Sequence, residues 1–582
     1  MKKDASLDNI RHSFAHILAA AVKKLYPKAQ LGMGPVIENG FYYDFDKITI
    51  TDKDLPRVEK EMRKIASQKL SFTRESWTTA KAKKFFRGQP YKLELIRDLK
   101  IKKVGIEHIG DLFIDLCRGG HVKHTKELPL DAFKLTHTAG AYWKGNEKRP
   151  MLTRVYGAAF KTKKELEQYL WQREEAKKRD HRVLGEKLRL FTFAEEVGPG
   201  LPLWLPNGTI LRDEIEAYAK EIEKERGYER VTTPHIAKEK LYRISGHIPY
   251  YADSMYPPMK LDDGNYYLKA MNCPHTHMIY KSELRSYRDL PIRYAEFGTV
   301  YRYELSGTLN GLLRVRGFTT NDAHIYCRED QAEEEFLQVM KLHEFWYKKI
   351  FNIQDFYMRL SLPSKDKAKY GGVPKEWQRA VDIVRKAMKK SKLPFEEVEG
   401  EAAFYGPKVD FQIKSVVGRE ETASTNQLDF FAKDRFNLVY KDKDGKNKPV
   451  YVIHRAPLGS HERFIAFLIE HYAGAFPLWL SPEQVWVVPV SDKFAAFANM
   501  IAAKLQKVTA SDLRVMVKDE NGTLGKKIRE GEMQKIPYLA IVGEKEQKNK
   551  SLSVRKRGGE NMGSVGIKQF ATQLDKEIKS KK

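Results

Sequence analysis

Two hydrophobic periods organise the chain. In residues 8–26, Ile10, Phe14, Ile17, Ala21 and Leu25 recur at three- to four-residue spacing, which predicts an amphipathic helix with Asp8 at its N-cap and Pro27 as its stop. Residues 161–188 are charge-dense and helical in pattern, a connecting helix with a solvated face. Leu211, Ile215, Tyr218 and Ile222 stripe a further helix, ahead of an extended segment at 229–234. Residues 297–327 switch to the period of a strand. They predict a hairpin whose second run puts Arg314, Arg316, Phe318, Thr320, Asp322 and His324 on one face. Leu313, Val315, Ala323 and Ile325 fall on the other, and Arg302 and Glu304 share a face of the first run. Residues 450–455 read as a buried strand, followed by Gly459-Ser460 and a helix that carries Arg463 in its first turn. A cation at that end opposes the helix dipole, so its acceptance there suggests a local anion. Beyond residue 481 the runs 485–490, 513–517 and 538–542 alternate with helical patterns, as in a separate α/β unit.

Composition narrows the class. A chain of 582 residues with 42% hydrophobic content is globular and has room for several cores. The formal net charge of +27 favours a polyanionic partner, nucleic acid before membrane. Three cysteines, Cys117, Cys273 and Cys327, make no disulfide framework and point to a reducing compartment. With no long apolar run and no signal-peptide core, the expected location is the cytoplasm.

Chemistry concentrates in three places. His12 and His16 are an i, i+4 pair on the first helix, and Cys117 and His121 flank a Gly-Gly turn. Together they hold the ligand inventory of a zinc site, and equally that of a cleft using imidazole and thiol to move protons. The hairpin face, with guanidiniums, an aromatic ring, a carboxylate and an imidazole in order, is either an exposed edge or a binding surface, since burying it for structure alone is costly. Lys526, Lys527, Arg529, Arg555, Lys556 and Arg557 make the last unit basic.

The segments RHSFAH, CRGGH, TAGAYW, MNCP, RVRGFTTNDAH, YGPK and IHRAPLGSHERF together resemble the bacterial-type threonyl-tRNA synthetases, a class II aminoacyl-tRNA synthetase family, over essentially the whole chain. The resemblance implies an α+β multidomain fold: an editing domain at 1–160, a linker helix at 161–188, a class II catalytic domain built on an antiparallel sheet at 189–480, and an α/β anticodon-binding domain at 481–582. It implies an ATP-dependent threonine–tRNA ligase acting as a homodimer on threonine, ATP and tRNA(Thr). Mg2+ would accompany ATP, and one zinc ion per subunit would be held by Cys273, His324 and His454, which lie far apart in sequence. In such enzymes Arg302 and Arg463 bind the ATP phosphates, Phe318 stacks on adenine and Glu304 contacts its edge, with Arg314 in the same nucleotide site. Asp322 would accept from the threonine hydroxyl. The first-domain cluster, His12, His16, Cys117 and His121 with Lys92 and Asp115 as neighbours, would hydrolyse mischarged seryl-tRNA. Asn521, Glu546 and Arg555 fall where anticodon contacts are made.

The chain departs from the family pattern in three ways. Many members begin with a small ubiquitin-like domain, whereas this chain starts directly at the editing domain. Glu421-Thr422 replaces a Trp-Gln pair, and Cys273-Pro274-His275-Thr276-His277 replaces Cys-Pro-Gly-His, which brings an extra histidine near a zinc ligand. His247 aligns with a family histidine near the terminal ribose when one residue is inserted before Cys273.

Overall fold

The computed structural model describes residues 5–364, 373–418, 420–508 and 512–581, which fall into two compact units, one ending at Glu174 and the other beginning at Glu175. The first unit is built on the helix Ala5–Leu25, which starts earlier than its pattern predicts and leaves Asp8 in the first turn rather than at the cap. Its C-terminus is closed by Lys23 Nζ, which donates to the carbonyls of Pro27 and Ala29 at 2.7 and 2.9 Å, a cation where the helix dipole favours one. Phe14, Ile17, Leu18 and Val22 bury against a five-stranded sheet ordered Gln30–Leu31, Gly40–Asp46, Met151–Ala159, Phe133–Tyr142, with Val36–Ile37 also paired to Gly40–Asp46. A second sheet, Phe72–Thr78, Lys103–Ile109 and Phe113–Leu116, is antiparallel throughout and packs Trp77, Val104 and Ile106 against Ala82, Phe86 and Ile96. Its last strand delivers Cys117.

The second unit centres on an eight-stranded sheet ordered Glu229–Arg230, Ile292–Tyr301, Gly317–Cys327, Tyr451–Arg455, Glu420–Asp429, Lys408–Lys414, Phe356–Leu362, Phe395–Glu399. Its inner pairs are antiparallel, and only the two outermost pairs are parallel. The Gly317–Cys327 strand is therefore third in the sheet and paired on both sides, so the exposed-edge reading of the hairpin does not hold. The alternation predicted for it survives from Phe318 onward: Ala323 and Ile325 are fully buried in the core while Phe318, Thr320 and Asp322 face the other way. It fails before Gly317. Gly311 adopts a positive φ of 48°, and residues 310–316 turn rather than extend, so Arg314 reaches the cleft from a loop while Arg316 turns to the Glu304 carbonyl at 2.9 Å. Arg302 and Glu304 likewise lie past the end of the first strand, Ile292–Tyr301.

The charge-dense linker is two helices rather than one. Lys163–Arg179 ends, and His181–Lys187 restarts at Asp180, whose side chain accepts from the Arg182 N–H at 2.9 Å. The C-terminal part carries a five-stranded sheet ordered Val515–Val517, Val485–Pro489, Tyr538–Val542, Ser551–Lys556, Asn561–Gly566, parallel in its first three strands and antiparallel after. Among the described residues, no helix is long and apolar enough to cross a membrane.

Candidate active site and second cleft

The face of the Gly317–Cys327 strand opens into a cavity of about 450 Å3. Phe318 lies under the Arg302 guanidinium, 5.0 Å from ring centroid to carbon. Arg314 is ion-paired with Glu304 at 2.8–2.9 Å, so the loop arginine and the carboxylate past the first strand hold each other. Arg463 is exposed on the opposite wall, and its backbone N–H donates to Ser460 Oγ at 3.2 Å, the N-cap of helix His461–Tyr472. All five nucleotide-site residues expected from the sequence, Arg302, Glu304, Arg314, Phe318 and Arg463, line this one cavity.

Further along the strand the register does what no local pattern could. His324 is the cross-strand partner of His454, and Cys273 opens the helix Cys273–Lys281 beside them. One donor atom from each of these three residues lies within 4.8 Å of the others, and all three residues are buried. His324 Nε2 is buried with no hydrogen-bond partner, and burial pushes the Cys273 thiol well up. A buried imidazole nitrogen without a partner and a thiol that cannot ionise unaided fit a thiophilic cation held by one sulfur and two nitrogens. His454 Nε2 is committed to Asp429 Oδ2 at 3.2 Å. Asp322 is oriented by Asn272, whose amide donates to Asp322 Oδ2 at 3.2 Å and to Thr320 Oγ1 at 2.9 Å. Burial raises the Asp322 carboxyl from its ordinary range. Gly298 must be glycine here, because a Cβ would collide with the Asn272 side chain.

The first unit assembles its own cluster. His12, His16, Cys117 and His121 each place a donor atom within 4.8 Å of the others. Cys117 Sγ is 3.1 Å from His121 Nε2 and 3.6 Å from His12 Nε2. Lys92 and Asp115 join it directly: Lys92 Nζ contacts Asp115 Oδ1 at 2.5 Å, and His16 Nδ1 lies 3.5 Å from Asp115 Oδ2. Burial holds all three imidazoles below the usual histidine range, His121 to about 2, and pushes the Cys117 thiol up to about 11. The four clustered side chains are thus neutral at pH 7. Cys117 also lines an open cleft of about 790 Å3, with Arg74 and Arg118 at its rim.

Comparison with known proteins decides the lineage. A threonine–tRNA ligase of Dehalococcoides mccartyi (strain CBDB1) is 46% identical over 581 residues, covering 100% of this chain and 98% of that ligase. The chain belongs to the threonine–tRNA ligase family. A threonine–tRNA ligase of Deinococcus deserti is 48% identical over 559 residues, covering 94% of this chain and 85% of that one. Family profiles match as the tRNA synthetase class II core domain (G, H, P, S and T) at 258–472, the anticodon binding domain at 484–577, and the threonyl and alanyl tRNA synthetase second additional domain at 104–156. Among solved structures, the RNA binding domain of the threonyl-tRNA synthetase from Cryptosporidium parvum Iowa II superposes with a TM-score of 0.65 at 34% identity, covering 68% of this chain and 98% of that one.

Within the family's anticodon domain the three expected residues are spread out. Asn521 lies in the loop ahead of helix Leu524–Met533, Arg555 donates to Glu532 of that helix at 2.8 Å, and Glu546 accepts from the Gly543 N–H at 3.0 Å as a helix cap. His247 is buried, bonded through Nδ1 to Ser245 Oγ at 2.7 Å, and held to about 4 chiefly by burial, with Arg302 and His454 adding to the effect. Sequence reasoning missed Tyr43, whose hydroxyl donates to Asp115 at 2.6 Å and accepts from Lys92 at 2.8 Å. It also missed Ser13, 3.3 Å from His121 Nδ1, together with Asn272 and Asp429. Ser13 and Asn272 stood inside motifs, RHSFAH and MNCP, whose histidines and cysteine drew the notice. Tyr43 and Asp429 sit in the strands Gly40–Asp46 and Glu420–Asp429, where nothing local marks them.

Proposed function

We infer that this protein is a threonine–tRNA ligase that activates threonine with ATP to threonyl-adenylate, transfers it to tRNA(Thr), and hydrolyses mischarged seryl-tRNA(Thr). The observation that carries the reading is the single strand face running from Phe318 beneath Arg302 to the buried Cys273–His324–His454 donors. Arg302 and Arg463 take the phosphates, because guanidiniums offer forked donors and stabilise charge that develops during in-line displacement. Phe318 stacks on adenine, Glu304 reads its edge and Arg314 completes the nucleotide site. Mg2+ accompanies the ATP.

Cys273, His324 and His454 would hold one zinc ion, which when bound supplies open coordination positions for the amino and hydroxyl groups of threonine. Asp322 accepts from that hydroxyl, with Asn272 fixing the carboxylate's orientation. Valine offers no hydroxyl and leaves Asp322 unpaired, so it is rejected strongly. Serine keeps the hydroxyl and lacks one methyl group, worth only about 1–3 kcal/mol. The shortfall is met in the first unit. There the Cys117 thiol stays protonated and serves as a donor, while the neutral imidazole of His12, 3.6 Å from it, takes a proton from water and His16 and His121 hold the pair in place. Lys92, Asp115 and Tyr43 fix the floor of the site. Asn521, Glu546 and Arg555 would contact the anticodon, and arginine is the usual reader of guanine edges. The basic net charge suits the tRNA, and we place the enzyme in the cytoplasm as a homodimer.

The test is amino-acid-dependent ATP–pyrophosphate exchange on zinc-replete protein. Threonine supports exchange, serine supports it more weakly and valine does not. No threonine-dependent exchange would overturn the reading. For hydrolysis, Cys117→Ala and His12→Ala should slow seryl-tRNA deacylation by at least about 100-fold while threonine activation stays intact. Undiminished deacylation in both variants removes the first-unit assignment.

A further inference from the structure

A buried histidine of the linker region touches neither substrate site and is used by none of the chemistry above. His181 is 2% exposed and stands at the first position of helix His181–Lys187. Its Nδ1 faces Glu470 Oε1 at 2.8 Å, and its Nε2 accepts the backbone N–H of Leu312 at 3.1 Å. An imidazole that accepts at Nε2 must carry its proton on Nδ1, so the carboxylate of Glu470 sets the tautomer that the Leu312 bond requires. The two partners belong to two elements that both contribute to the nucleotide cavity. Leu312 is fully buried, lines that cavity and sits two residues before Arg314, whereas Glu470 is on the helix whose first turn carries Arg463. The loop is shaped to receive the ring. Gly311 next to Leu312 has φ of 48°, and a Cβ there would collide with His181 Nε2. The strap is anchored a second time by Arg179, whose Nη1 donates to the carbonyls of Glu470 and His471 at 3.2 and 3.0 Å.

We propose that His181 is a positioning residue for ATP: held in one tautomer by Glu470, it clamps the 310–316 loop to the Arg463 helix, so that Arg314 and Arg463 face the nucleotide at a fixed separation. The inference rests on the nucleotide-site reading given above. Loss of the clamp releases the loop without removing any group that touches threonine, so it acts on ATP binding.

The experiment uses the full-length, zinc-replete protein and the variants His181→Phe, which keeps the ring and removes both hydrogen bonds, Glu470→Gln, which keeps an acceptor for Nδ1–H, and Gly311→Ala. ATP–pyrophosphate exchange gives KM for ATP and for threonine separately, and hydrogen–deuterium exchange by mass spectrometry follows peptides across 305–316. His181→Phe and Gly311→Ala should raise KM for ATP at least about tenfold, leave KM for threonine within about twofold and lose protection in the loop, while Glu470→Gln retains most of the wild-type behaviour. Unchanged KM for ATP in both His181→Phe and Gly311→Ala, or equal rises in KM for ATP and threonine, would overturn the clamp. Absent threonine-dependent exchange in the wild type would instead remove the nucleotide-site reading, a separate outcome. A cooperative calorimetric transition checks that the second unit of each variant is folded, and if His181→Phe fails that check Glu470→Ala, which removes the acceptor, takes its place.

Discussion

Asp429→Asn is a nearly isosteric change that should loosen zinc without touching a ligand. Asp429 works through both oxygens: Oδ1 accepts the backbone N–H groups of Phe431 and Ala432 at 2.7 and 2.8 Å, and Oδ2 faces His454 Nε2 at 3.2 Å. An asparagine must keep its one carbonyl oxygen on the two backbone donors, since turning its NH2 toward them would set donors against donors. The NH2 then points at His454 Nε2, which must become an acceptor. The proton moves to Nδ1, the nitrogen that remains for the metal, and the wrong tautomer is locked in. Loss of such a partner to a metal-bound histidine typically costs 10–100-fold in affinity, about 1.4–2.7 kcal/mol. The assay is zinc transfer to a chromogenic chelator, read as fractional retention against chelator concentration, together with total zinc in dialysed protein. Asp429→Asn should release zinc at roughly 10–100-fold lower chelator concentration than the wild type. Retention within twofold of wild type, in protein whose calorimetric transition matches the wild type, would refute the tautomer argument.

Other outcomes follow from the first unit. Asp115→Asn removes the counter-charge beside buried Lys92, which should cost about 3–5 kcal/mol and lower that unit's melting temperature by roughly 10 °C; calorimetry on the full chain reads it. Burial lowers the folded-state values of His12, His16 and His121 below the unfolded value, so the unfolded chain takes up protons first as pH falls. The unit is at full stability above about pH 6.5 and should lose up to about 1.4 kcal/mol per pH unit for each such histidine below it. A melting temperature that stays flat from pH 7.5 to pH 5 contradicts this. With its thiol pushed up to about 11, Cys117 is roughly one part in a thousand thiolate at pH 8 and should resist iodoacetamide under conditions that alkylate a free thiol quickly; peptide mapping detects the adduct.

How much of this was legible in the sequence depends on the range of each interaction. Period-2 alternation located the Phe318, Thr320, Asp322 and His324 face because a strand presents every second residue to one side whatever surrounds it. It overran at Arg314 and Arg316 because one glycine with positive φ bends the chain, and hydrophobicity does not report φ. The HxxxH and CxxxH pairs marked a cluster, yet spacing could not choose between a metal and a proton relay. The choice leans on Lys92, Asp115 and Tyr43, brought in from two strands and a helix. Asp429 and His181 were invisible for the same reason: each acts through a partner 25 or more residues away.

Register is where these distant parts become one device. His324 and His454 can share a metal only because Gly317–Cys327 and Tyr451–Arg455 pair with His324 opposite His454. A one-residue slip would turn every side chain of one strand to the far face and part the two ligands. The same strand fixes the interval from Phe318 to His324, six residues or roughly 20 Å at about 3.3 Å each. The separation between the Phe318 ring and the Cys273–His324–His454 donors is thus a property of the backbone. Side-chain substitutions can weaken either end, as Asp429→Asn does, but they cannot move one end relative to the other. On the function proposed above, specificity for an amino acid of threonine's size would be set by Asp322 and Asn272 beside those donors, and serine, which lacks only a methyl group, would be dealt with in a different unit of the chain.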